Sequence, residues 1–219
     1  DNTVAILTGD FLFAHASRLV ADLGPDAVRI IAETFAELVT GQMRETRGPR
    51  PGDDPVQHYL TVIAEKTGSL IATAGRYGGM FAGCPPEQVE SLRRFGAVIG
   101  TAFQISDDII DIASPSDSSG KTPGTDLREG VHTLPMLYAL AAEGRDAERL
   151  RVLLARPITD DAEVAEALEL LRTGPGLAKA HDVLADQAAA ARAELGKLPA
   201  CAAADALAAL TVYVVDRTA

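Results

Sequence analysis

The sequence predicts an all-α fold, and three observations carry that prediction. Apolar residues recur at spacings of three and four along nearly the whole chain, and alternating strand-like runs are essentially absent. The apolar content of 47% is dominated by Ala and Leu, which suit helices packed closely through small side chains. Aromatics make up only 5% and Trp is absent, whereas a β-sandwich would draw on Val, Ile, Tyr and Phe. At 219 residues the chain reads as one all-α domain, 1–219, with a sizeable core.

Punctuation then places the helices. The first, over 2–23, stops at Gly24-Pro25, where the proline suits the first turn of the next helix. That second helix, 26–46, runs into the polar loop RGPRPGDDP. Residues 55–82 read as one long helix, bent at Gly75 and at Gly78-Gly79 and ended by CPP. Residues 86–113 continue as a second long helix. From 114 to about 132 the text SPSDSSGKTPGTDLREGVH is too rich in Ser, Gly and Pro to be helical. Shorter helices are expected at about 133–143, 145–155, 160–173 and 176–195, and a last one at 200–217. Neither an internal repeat nor an interdomain linker is visible.

Charge and cysteines set outer bounds. A net charge of −11 argues against broad nucleic-acid binding, which rests on a Lys/Arg surface. Cys84 and Cys201 lie far apart without metal-ligand spacing, so no disulfide framework or zinc site is expected and a reduced, cytoplasmic setting is. No apolar run reads as long enough to span a bilayer, no signal peptide is visible, and no membrane anchor is expected. The chain opens in mid-amphipathic helix, without Met or a leading polar stretch, so further residues are expected in front of Asp1.

The chemistry concentrates in FQISDDIIDI, residues 103–112, where an apolar helix carries Asp107, Asp108 and Asp111. Residues four apart share a helix face, so Asp107 and Asp111 point one way with Asp108 to one side. Two readings stand open at this level. The carboxylates form a solvated acidic face, common in a chain with 31 acidic residues, or they look into a hollow and hold a cation. Mg²⁺ takes one or two protein carboxylates and completes its shell with water and phosphate oxygens, so the pattern suits a metal–diphosphate better than a bare metal. The following GKTPGTDLREGVHTLP adds Lys121 among Gly120, Gly124 and Gly130, either an ordinary surface loop or a segment able to close a positive charge over phosphate.

FQISDDIID followed by GKTPGTDLREGVHTLPMLYAL resembles the second aspartate-rich motif and lid of the trans-isoprenyl diphosphate synthases, the polyprenyl synthases. VIAEKTGSLIATAGRYGG, with Lys66-Thr67, resembles that family's Lys-Thr helix. AILTGDFLFAHA resembles its Gly-Asp helix, and ALAALTVYVVDRT its closing helix. The likeness spans essentially the whole chain, and its motifs stand in the family's order.

The resemblance implies a helical bundle of isoprenoid-synthase type around a central cavity. It implies a Mg²⁺-dependent prenyltransferase joining an allylic diphosphate to isopentenyl diphosphate, head to tail. Carried onto this sequence, Asp107 and Asp111 would ligate Mg²⁺, with Asp108 assisting directly or through water. Lys66 and Lys121 would neutralise diphosphate oxygens, and Thr67 and Gln104 would face the allylic carbons. Read singly, each has a plainer role: Lys66 a snorkelling surface lysine, Thr67 bonded to the preceding turn, Gln104 a helix–helix contact. Asp10 is expected to be buried and hydrogen-bonded, and Asp126 to cap or hinge the lid. His15, His58, His132 and His181 form no cluster and receive no chemistry.

This sequence departs from the family in two ways. Val131 stands where the family often has Lys after the lid's EG pair. The first aspartate-rich motif and the isopentenyl diphosphate residues would precede Asp1, so the 219 residues alone are expected to be inactive. A homodimer through mid-chain helices is what the family implies. A non-catalytic regulatory subunit would have no physical reason to keep buried charge. A terpene cyclase of the same fold would show an Asn/Ser/Glu metal triad instead.

Overall fold

The computed structural model describes residues 1–113 and 123–217, and every regular element among them is helical. A helical hairpin of α1 (Asn2–Ala21) and α2 (Pro25–Arg47) comes first. After it, α3 (Pro55–Ile63) passes through a π-turn, Ala64–Gly68, into α4 (Ser69–Phe81), and then comes α5 (Pro86–Ala113). The remainder consists of α6 (Thr125–Glu129), α7 (Leu134–Leu140), α8 (Arg145–Leu153), α9 (Asp161–Thr173), α10 (Pro175–Leu195) and α11 (Ala202–Asp216).

The long helix α5 is the axis of the core. Ile105, Ile109 and Ile112 are each 0% exposed, and each such burial is worth about 2 kcal/mol. Two apolar clusters meet along it. One joins Tyr59 and Ile63 before the π-turn to Ile105, Ile109 and the α10 residues Ala180 and Leu184. The other gathers Ile112, Leu127 of α6 and side chains of α7, α8 and α9, with Leu171 at its centre.

The 55–82 helix departs from expectation. It is interrupted not at the glycines but at the π-turn, where the Ser69 N–H bonds the Ala64 carbonyl. Gly75 serves instead as a point of backbone approach, because a Cβ there would collide with the Leu92 carbonyl. On α5, Gly96 does the same against the Ile71 carbonyl, so α4 and α5 touch almost backbone to backbone. The Ser/Gly/Pro stretch also contains a short helix that its composition hid. In α6, Leu127 is buried at 1% exposed and Gly130, at φ 74°, ends the turn.

α1 stands apart. None of its residues is buried, and Asp10 is exposed rather than buried as expected. With 20 residues at a mean hydropathy of 1.3, α1 is also long and apolar enough to cross a membrane, contrary to the expectation that no run qualifies. Among the described residues it docks on α2, where the rings of Phe13 and Phe35 lie 4.5 Å apart.

Candidate active site

A cavity of about 990 Å³ opens between the end of α2, the length of α3, the C-terminal half of α5 and the α6–α7 connection. Lys66, Gln104, Asp108 and Asp126 line it, together with Tyr59 and Glu45. The π-turn explains how α3 and α4 deliver their part. From this turn Thr67 meets Gln104 of α5 and Lys66 meets Glu45 of α2, and π-turns of this kind recur at functional sites. Space for it comes from Gly41 of α2, where a Cβ would lie 2.7 Å from the Lys66 nitrogen.

A continuous hydrogen-bonded chain then runs across the cavity wall. The Thr67 hydroxyl donates to Gln104 Oε1 at 3.1 Å, and Gln104 Nε2 donates to Asp108 Oδ1 at 2.9 Å. Tyr59 donates its phenol to Asp108 Oδ2 at 2.5 Å. These bonds fix the amide of Gln104, whose oxygen faces Thr67 and whose nitrogen faces Asp108. Gln104 and Asp108 stand at the i,i+4 offset of one helix face, which puts the two side chains within reach.

The three carboxylates of α5 therefore have three different neighbours. Asp108, ranked behind the other two from sequence, is the one on the cavity wall and only 6% exposed. Asp107 forms an ion pair with Arg217 at 2.8 Å. Asp111 receives the backbone N–H groups of Thr125 and Asp126 at 3.1 and 3.2 Å, and so caps the start of α6. Its backbone carbonyl also accepts from the Gly124 N–H at 3.0 Å. Lys66 is paired with Glu45 at 2.8 Å. Lys121 lies outside the described residues.

Negative charge is crowded and incompletely neutralised here. Burial pushes the Asp108 carboxyl up to about 6, against the hydrogen bonds from Tyr59 and Gln104, with repulsion from Asp107 and Asp111 adding to the rise. Asp126 goes up to about 7, first through burial and then through repulsion from Asp108 and Asp111. Burial beside Asp108 also raises the Tyr59 phenol well above its ordinary value. A divalent cation would relieve that strain. Among the described residues no three His, Cys, Asp or Glu side chains form a complete ligand set. The donors present fit an ion that keeps water and phosphate oxygens in its shell, as Mg²⁺ does.

The polyprenyl synthetase family profile matches residues 1–171. The chain belongs to that family. It is 66% identical over 216 residues to a nonaprenyl diphosphate synthase of Mycobacterium tuberculosis, covering 99% of this chain and 64% of that protein. A dimethylallyltranstransferase of the same organism is 54% identical over 198 residues, covering 90% of this chain and 60% of that protein. The polyprenyl synthetase fold is matched in crystal structures as well. A geranylgeranyl pyrophosphate synthase from Corynebacterium glutamicum, complexed with calcium and isoprenyl diphosphate, superposes with a TM-score of 0.89 at 51% identity. That match covers 100% of this chain and 68% of the other. A polyprenyl synthase from Caulobacter crescentus, also complexed with calcium and isoprenyl diphosphate, gives 0.90 at 33% identity, covering 99% of this chain and 67% of the other. This polyprenyl synthetase chain thus spans less than two thirds of the length of the two M. tuberculosis relatives.

Three residues at the site, Tyr59, Glu45 and Arg217, escaped the sequence reading of this family member. Tyr59 carried a usable signal, since it lies two helical turns before Lys66 in the predicted 55–82 helix. Asp126 was expected as a cap or hinge; its backbone N–H does meet Asp111, while its side chain also lines the cavity. Glu45 and Arg217 carried none, being 21 and 110 residues from their partners Lys66 and Asp107. His58 and His132 also border the cavity, and His132 Nε2 lies 3.0 Å from the Leu154 carbonyl oxygen.

Proposed function

We propose that the protein carrying this chain is a Mg²⁺-dependent prenyltransferase that condenses an allylic diphosphate with isopentenyl diphosphate, head to tail, into a longer polyprenyl diphosphate. The observation that carries this reading is the cavity wall on which Lys66, Gln104 and Asp108 converge, with Thr67 bonded behind them, in a member of the polyprenyl synthetase family. The names of the relatives support the reaction class, and the calcium in two structural neighbours supports a divalent ion.

The chemistry breaks the allylic C–O bond, joins the freed carbon to the terminal alkene carbon of isopentenyl diphosphate, and releases one proton and diphosphate. Bound Mg²⁺ supplies Lewis-acid withdrawal of charge from the leaving diphosphate. Asp107, Asp108 and Asp111 are the residues that would hold it. Lys66 exchanges Glu45 for a phosphate oxygen, a local swap that needs only rotation of a long side chain. The oxygens of Thr67 and Gln104, locked by their mutual bond, favour positive charge developing at the allylic carbon without having to reorganise. The apolar wall of Val62, Ile63 and Leu137 gives the growing chain a dry surface and keeps water from the cation. Lys121 belongs to the same reading as a closing positive charge.

The test uses the full protein with farnesyl diphosphate, labelled isopentenyl diphosphate and Mg²⁺. An elongated, extractable product is expected. Asp107→Ala is expected to cut its rate by roughly a hundredfold or more. Unchanged rates in that variant would sink the metal assignment.

The same reading includes a homodimer in a reduced cytoplasm. It is supported by the uncovered apolar face of α1 and by the free thiols of Cys84 and Cys201. Light scattering on Leu12→Lys checks the dimer: the variant shifts toward monomer on dilution, whereas vesicle binding lost in the same variant would point to a membrane instead.

A further inference from the structure

Arg217 follows α11 as its C-cap, yet its side chain reaches back to a single stretch of α5. Nε donates to the Ser106 hydroxyl at 2.7 Å, and Nη2 donates both to the Phe103 carbonyl at 2.9 Å and to Asp107 Oδ1 at 2.8 Å. The guanidinium also lies 4.1 Å from the centre of the Phe103 ring. Its side chain is 17% exposed and that of Asp107 is 32% exposed. A surface ion pair needs one contact and is worth little. Here a rigid fork engages a backbone carbonyl, a buried hydroxyl, a carboxylate and a ring face together, which an ammonium cannot reproduce.

The grip is selective within Asp107. Arg217 takes Oδ1, and the part-exposed carboxylate keeps lone pairs on Oδ2. The neighbouring positions of α5, Gln104 and Asp108, already face the cavity. An aspartate free to turn about its side-chain bonds would offer a cation many orientations; one clamped through one oxygen offers few. Partners of this kind typically change metal affinity by about ten- to a hundredfold.

We infer that Arg217 is a positioning residue. It fixes the Asp107 carboxylate through Oδ1 so that Oδ2 is presented to the divalent cation that arrives with a diphosphate, and it thereby ties cation loading to the seating of α11 on α5. This rests on Asp107 being a cation ligand. Charge alone would make Arg217 a competitor of the cation, so the two effects predict opposite signs.

The experiment titrates the full protein with Mn²⁺ in the presence of inorganic diphosphate, read by electron paramagnetic resonance, with far-UV circular dichroism as the check on folding. Arg217→Ala is expected to weaken Mn²⁺ binding by about tenfold or more. Arg217→Lys should also weaken it, because one ammonium cannot span all the acceptors, and it decides the matter should the alanine variant fail to fold. In an Asp107→Asn background the Arg217 change should add nothing further. Unchanged or tighter binding in the folded Arg217 variants overturns the inference. If Asp107→Asn weakens binding while the Arg217 variants do not, only the positioning role falls. If Asp107→Asn itself leaves binding unchanged, the ligand reading of Asp107 falls, and the positioning role with it.

Discussion

Helices α1 and α5 look alike in the sequence and end up in opposite surroundings. Both are long and rich in apolar residues, and aspartates interrupt both, Asp10 in α1 and Asp107, Asp108 and Asp111 in α5. In α5 twelve residues are buried, including Asp108, whose carboxylate is partnered on both oxygens. In α1 no residue is buried, and Val4, Ile6, Leu7, Phe11, Leu12, Phe13 and Leu19 stand between 48% and 65% exposed. Apolar periodicity reports that a face must be covered. It does not report whether the cover lies in the same chain, because burial is a property of the pair and not of the helix.

The contrast can be broken hardest at its two aspartates. Asp108→Ala in the full protein is expected to lower the proposed prenyl transfer by roughly a hundredfold or more, from loss of a carboxylate that would help hold the divalent cation on the leaving group. Asp10→Ala on α1 should leave turnover unchanged; a comparable loss there would mean that α1 takes part in the chemistry.

Packing gives the next largest separation. Ile109→Ala removes a side chain that is 0% exposed and should cost about 2–5 kcal/mol in urea unfolding of this chain. Leu12→Ala on α1, at 60% exposed, should change the stability of the monomer by no more than about 0.5 kcal/mol. Equal costs would show that α1 has an intramolecular partner.

Acidity sharpens the comparison further. The carboxyls of Asp108 and Asp126 are raised to about 6 and about 7, above an ordinary value of 3.8. Folding therefore favours their neutral forms, and the stability this contributes is present in acid and lost as pH rises from about 4 through about 7. The melting temperature of the metal-free chain should fall across that window, and Asp126→Asn should flatten the fall. A profile level from pH 4 to 7 would remove the charge-crowding account of the site.

Much of the molecule was legible because its determinants are local. Gly24-Pro25 ended one helix and opened the next, and Pro86 opened α5, since these residues fix backbone geometry wherever they stand. The aspartate-rich stretch and Lys66-Thr67 were found because a few consecutive side chains carry the motif. The π-turn was not found, because AEKTG forms an ordinary helical turn by propensity and widens only where Gly41 lets α2 press against it. Gly75 misled for the same reason: alone it reads as a bend, and only opposite Leu92 is it a close approach.

What the sequence determined by itself, then, was the helical class, most helix ends and the residue types that gather around the cavity, all of which depend on neighbours within a turn or two. The tertiary structure alone decided that Asp108 faces the hollow, that Asp111 caps α6, that Asp107 meets Arg217 and that the described residues leave α1 exposed. Those assignments depend on which groups come together across separations from 14 to 110 residues, well beyond a helical turn, where the chain's own spacing imposes no distance.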